Sequence, residues 1–190
     1  MLCKLFVALL ALCLLTLTLS ANRRYDLKLY GFNCKNLTSR ISVLECSSRN
    51  LKTPNYYALQ GKIMFDRKLS ENFEMRIWIY IRPSKSKNGV QFLDLKFKTC
   101  DILENAFQNP MLSKLFAEFR RTSNIPHTCP INSNFLYRMD NFTVNEKYAP
   151  TYAPLLNFTF GLDFYEKTQL LWTAKVTGSL VPKTSQGGSI

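Results

Sequence analysis

The segment FEMRIWIYIR, residues 73–82, alternates without a break: Phe73, Met75, Ile77, Ile79 and Ile81 fall on one side, and Glu74, Arg76, Trp78, Tyr80 and Arg82 on the other. A period of two sends successive side chains to opposite faces of an extended chain, and no helix gathers these five apolar residues into one stripe. The polar stretch PSKSKNG follows, with Asn88-Gly89 suited to positive φ. VQFLDLKFKTC (90–100) then returns with Leu93, Leu95 and Phe97 on one face. This pattern predicts a hairpin with a cationic tip, one wet face and one buried face.

The same alternation recurs near the C-terminus. LLNFTFGLDFYE (155–166) sets Leu156, Phe158, Phe160, Leu162 and Phe164 against Asn157, Thr159 and Asp163, and QLLWTAKVTGSLV (169–181) sets Leu170, Trp172, Ala174, Val176 and Leu180 against Thr173, Lys175 and Thr177. Weaker strand signals lie at 25–34, 41–46, 56–66 and 134–144. Eight strands with turns between them and no repeating βαβ pattern predict a mostly β chain, an antiparallel immunoglobulin-like β-sandwich. The exception lies between Cys100 and Cys129. There Leu112, Leu115, Phe116 and Phe119 at helical spacing predict one short helix, starting near Pro110. YAPTYAPLL (148–156) reads as a connection, and no linker or repeat divides the chain, so residues 22–182 are expected to form one domain with a flexible tail over 183–190.

The N-terminus sets the compartment. After Lys4, fifteen uncharged residues (LFVALLALCLLTLTL) lead through a small Ser-Ala pair into NRRYD, the layout of a signal peptide over residues 1–21. An uncleaved anchor would want about 20 apolar residues. Cys3 and Cys13 leave with such a leader; Cys34, Cys46, Cys100 and Cys129 remain, and in an oxidising lumen they read as two disulfides with three possible connectivities. A metal site would want a C-x-x-C pair or several histidines at ligand spacing, and neither is present. Sequons at Asn36, Asn141 and Asn157 agree with a secretory route and would place each asparagine at the surface.

Without Lys4 the chain carries 24 basic and 13 acidic residues, a net charge of +11. That favours anionic surfaces or lipid headgroups over nucleic acid in a secreted protein, unless the charge serves only solubility. Signs of catalysis are few. The single histidine, His127, has no G-x-S-x-G elbow to serve, each remaining cysteine has a disulfide role, and seven glycines leave little for a phosphate loop. Carboxylates such as Asp94, Asp101, Glu104, Asp163 and Glu166 are more simply solvated or structural, so no catalytic residue, cofactor or metal is expected. In SNIPHTCPINSNF (123–135), Ser123 and Asn124 are expected to end the helix and Pro126 and Pro130 to keep the chain extended, leaving His127 as a loop residue.

A sandwich whose sheets splay apart holds an apolar cavity, but the same residues also fill a closed core, and periodicity does not separate the two. A resemblance bears on the choice. TCDILENAFQNPMLSKLFAEFRRTSNIPHTCP (99–130) is similar to the signature of an arthropod family of secreted domains of unknown function that includes the CheB chemosensory proteins, through Cys100, Leu103, Ser123, Asn124, Cys129 and Pro130. The early pair Cys34 and Cys46, the central hairpin and the late Trp172 also fit that family's layout. The family resembles in turn the ML lipid-recognition superfamily of splayed sandwiches, although this chain has four mature cysteines where many ML domains have six, and a long helical insertion. The resemblance implies disulfides Cys34–Cys46 and Cys100–Cys129. It also implies a secreted binding protein for a hydrophobic small molecule or lipid in chemosensory detection. No lipid-contacting position is carried over from the family; the inward residues of the alternating strands, Phe73, Met75, Ile77, Ile79, Leu93, Leu95, Phe97, Phe158, Phe160, Leu162 and Trp172, are expected to line the cavity. Lys85 and Lys87 on the hairpin tip are candidates for an anionic headgroup. Two alternatives stand beside this reading. One is a closed sandwich acting as an accessory or co-receptor protein of a membrane receptor, with Trp78 and Tyr80 outermost; the other is a cationic surface-binding protein.

Overall fold

In the computed structural model the described residues are 23–104 and 110–183, with the side chains of 110–112 excepted. The expected leader, the tail beyond Lys183 and the side chain of Leu112 lie outside them. Eight strands form where alternation predicts them: β1 Tyr25–Asn36, β2 Ile41–Asn50, β3 Tyr57–Phe65, β4 Phe73–Pro83, β5 Val90–Lys98, β6 Tyr137–Val144, β7 Leu156–Glu166 and β8 Gln169–Pro182. They build two antiparallel sheets, a five-stranded one in the order β1-β8-β7-β4-β5 and a three-stranded one in the order β2-β3-β6, stacked as a sandwich. Helix α2, Pro110–Thr122, is the expected insertion. It is preceded by a short helix not foreseen, α1 over Thr99–Glu104, which turns β5 inward and buries Thr99, Ile102 and Leu103.

Both disulfides have the pairing that the resemblance implies. Cys34–Cys46 stitches β1 of the large sheet to β2 of the small one, and Cys100–Cys129 closes a loop that contains both helices. Asn124 then pins the helix exit to β6. Its N–H donates to the Arg138 carbonyl (3.1 Å), its Oδ1 accepts from the Arg138 N–H (2.6 Å), and its Nδ2 donates to the Leu136 carbonyl (3.0 Å). Tyr25 does the same for the proline-rich connection, donating its hydroxyl to the Pro150 carbonyl at 2.7 Å. No helix among the described residues is long and apolar enough to cross a membrane.

Phe65, Phe73, Phe164, Tyr137 and Leu171 anchor the largest core cluster, with Phe164 stacked on Trp172 at 3.8 Å between centroids and on Phe73 at 5.8 Å. Simple alternation misses Leu171. Phe164 pairs with Trp172 and Tyr165 with Leu170, so Leu171 is the extra residue of a bulge and is wholly buried. The expected positive φ at Asn88-Gly89 does not occur: left-handed backbone lies instead at Asn55, Asn134, Asn141, Lys167 and Thr168. Ser86 organises the β4–β5 turn through its own side chain, donating its hydroxyl to the Asn88 carbonyl (2.8 Å) and accepting the Asn88 N–H (3.1 Å).

Candidate functional site: the inner apolar face and two surface clefts

Strand register sorts the inward residues into rows across the large sheet. Leu93, Ile79, Phe160, Val176 and Phe32 stand side by side, then Leu95, Ile77, Leu162, Ala174 and Cys34, then Phe97, Met75, Phe164 and Trp172. The eleven residues expected to line a cavity are thus on three neighbouring rows, apart from Phe158 opposite Ile81 and Phe73 at the end of β4. Only Phe73 and Ile77 among them are buried, and the other nine are half-buried.

The partial exposure follows from the layers. Strands lie about 4.8 Å apart, so a three-stranded sheet falls roughly 10 Å short of covering five strands. The small sheet is held at the β1 side by the Cys34–Cys46 bridge, and Leu115 and Phe119 of α2 pack against the same Leu59–Phe142–Val176 cluster as Phe158 and Phe160. Met75, Phe97, Leu162 and Trp172 pack against the largest cluster. Ile77, Ile79, Leu93 and Leu95 remain: they form a square, Ile77 opposite Leu95 and Ile79 opposite Leu93, and belong to none of the three core clusters among the described residues. The indole Nε1 of Trp172 is buried without a hydrogen-bond partner among the described residues, a polar donor on the same inner face.

The outer face of the large sheet is polar and tied together. Asp163 is 7% exposed, accepts the Trp78 indole N–H at 2.9 Å, and meets the Arg76 guanidinium at 3.4 Å. Arg76 also grips Asp94 through two bonds, 2.6 and 2.8 Å, which hold the Asp94 carboxyl below its ordinary pKa and raise that of the guanidinium. Trp78 lies over Gly161, where a Cβ would run into the indole, and Lys175 sits 5.5 Å from the ring centroid. Trp78 is therefore committed to the sheet, while Tyr80 is exposed.

Among the described residues, a smaller and a larger surface cleft bear on binding. The smaller, about 180 Å³, is lined by Tyr80, Arg82, Lys87, Asn157, Phe158 and Thr159, so the candidate Lys87 and the half-buried sequon residue Asn157 share it; Lys85 is exposed on the hairpin tip. The larger, about 430 Å³, lies where the β1–β2 turn, the β3–β4 loop and the β7–β8 turn converge. Its walls carry Arg40, Arg67, Lys68 and Lys167 together with Glu71 and Glu166, over a floor of Ser70 and the buried Leu69. Glu166 pairs with Arg40 and accepts the Ser70 N–H at 3.0 Å. Burial pushes its carboxyl up, but the Ser70 and Arg40 bonds outweigh that and leave it below the ordinary glutamate value. The clamp's contribution to stability is fully present above the unfolded glutamate pKa and is lost as pH falls through the lowered folded value.

The sequence reading missed this cleft, whose cations come from three separate turns; only the run Asp66-Arg67-Lys68 was a local signal. Of the other sequon residues, Asn36 and Asn141 are exposed, Asn141 in left-handed backbone with its Oδ1 accepting from Arg49 at 2.7 Å. His127 is exposed in the loop before Cys129. Asp101 and Glu104 are exposed on α1.

The fold defines a disulfide-linked antiparallel β-sandwich whose inward candidate residues are mostly half-buried. Residues 74–160, spanning β4 to the middle of β7, match the model of a family described as Protein of unknown function (DUF1091). No curated protein matches the chain.

Proposed function

We propose that this chain is a secreted, glycosylated, non-enzymatic binding protein for a hydrophobic or lipid-like small molecule, acting extracellularly in chemosensory detection. The observation that carries the reading is the half-buried trio Ile79, Leu93 and Leu95, beside the buried Ile77, inward residues that belong to none of the core clusters among the described residues. Apolar area of that kind gains about 25 cal/mol per Å² when a ligand removes it from water. The Trp172 indole N–H, without a partner among the described residues, favours a ligand with an oxygen acceptor over a plain hydrocarbon. The two disulfides suit an oxidising compartment. The chemosensory setting, and the link to the CheB proteins and the ML superfamily, rest on the signature between Thr99 and Pro130.

The test uses a fluorescent apolar probe such as 1-anilinonaphthalene-8-sulfonate, displaced by long-chain alcohols. Lysine is tolerated at half-buried positions because its stem covers apolar surface while its ammonium reaches water. Leu93→Lys combined with Leu95→Lys should therefore keep the fold and weaken alcohol displacement by roughly tenfold or more. Unchanged displacement would place the ligand elsewhere.

A second reading, an accessory protein of a membrane receptor, has one observation in its favour. On the edge strand β5, Val90 is exposed and Phe92, the extra residue of a bulge opposite Ile79 and Tyr80, is 63% exposed. Such residues suit a protein partner. Phe92→Ser should then abolish receptor association and leave alcohol displacement intact.

A further inference from the structure

We infer that the larger surface cleft is a second binding site, independent of the apolar face, for a single phosphate or sulfate monoester group. Its volume, about 430 Å³, suits one sugar-sized or headgroup-sized ligand. Charge selects an anion: Arg40, Arg67, Lys68 and Lys167 face Glu71 and Glu166, and Glu166 is already occupied by Arg40 and the Ser70 N–H. Lys68 and Lys167 form no ion pair among the described residues, and Arg67 has only Asp66 at 3.9 Å, a solvent-exposed and weak partner. Three cations from two separate turns thus converge on one concavity, with Glu71 the remaining carboxylate on its walls, and leave an excess of positive charge.

The β7–β8 turn adds an independent argument. Lys167 and Thr168 have φ of 47° and 70°, the mirror-image turn that a two-residue hairpin requires. Asn-Gly would take that shape at low cost, and a β-branched threonine takes it under strain. The strained turn places Lys167 on the wall of the larger cleft, and backbone strain of this kind clusters at binding sites.

The test measures binding at low and at physiological salt by isothermal titration with glucose 6-phosphate, glucose 6-sulfate and unmodified glucose, and by sedimentation with phosphatidylcholine vesicles with and without phosphatidic acid. Binding of the soluble esters but not glucose supports the site with a free ligand; binding of the phosphatidic acid vesicles alone supports it with a headgroup. In either case Arg67→Gln combined with Lys68→Gln should weaken binding roughly tenfold or more. Lys167→Asn with Thr168→Gly relieves the turn while removing one cation, so it should bind more weakly from a protein that melts no lower than the wild type. Lys85→Gln with Lys87→Gln should bind as the wild type. Equal affinity in the cleft variants, loss of binding in the hairpin-tip variant instead, or no binding of any anion at low salt would overturn the assignment.

Discussion

A Cys129→Ala protein is expected to lose about 3–4 kcal/mol of stability and to fail secretion, because the Cys100–Cys129 bridge closes a separation of 29 residues and removes that loop's freedom from the unfolded chain. The loop carries both helices. Those helices bury Ile102, Leu103 and Phe116 in the largest core cluster, so the lost tether acts where the two layers meet. The neighbouring His127→Ala should be secreted and melt as the wild type, since the imidazole is exposed in a loop. Thermal unfolding of both proteins, with secretion measured from the same cells, separates a tether from a reactive His–Cys pair. If His127→Ala were the damaging change, chemistry at this segment would be back in question.

Asp163→Ala should lower the melting temperature by about 4–8 °C, the equivalent of about 2 kcal/mol in a domain of this size. The carboxylate is nearly buried on the outer face of the sheet, and its removal strands the Trp78 indole N–H and one arm of Arg76 together. Asp94→Ala should do far less, although its bonds to Arg76, 2.6 and 2.8 Å, are the shorter ones. Asp94 is largely in water, where ion pairs contribute little. Similar shifts for the two variants would mean that pairing, and not burial, sets the value of this network.

Alternation made the strands of this sandwich legible because burial of one face imposes a period of two, a period that β5 keeps residue by residue, while in β7 and β8 the polar face also buries Asp163 and Ser179. It could not foresee Leu171, since a bulge adds one residue and resets the phase. Nor could it place the left-handed turn at Lys167-Thr168, where tertiary pairing imposes a backbone that neither residue prefers. The candidate lining residues were legible as a face but not as a surface. Which of them stay open depends on three strands lying opposite five, and strand count per sheet is not written in local pattern. The cationic cleft was illegible for a related reason: Arg40, Lys68 and Lys167 lie far apart in the chain and meet only when three turns converge.

An apolar ligand on the inner face of β4 and β5 should travel with the protein, so the decisive measurement is native mass spectrometry of protein collected from the medium of the cells that make it, followed by organic extraction. The spectrum should show a discrete added mass that the extraction recovers as an oxygen-bearing apolar molecule, and that is absent from the Leu93→Lys, Leu95→Lys protein. Wild-type protein that flies at its polypeptide-plus-glycan mass, with no molecule in the extract, would contradict it.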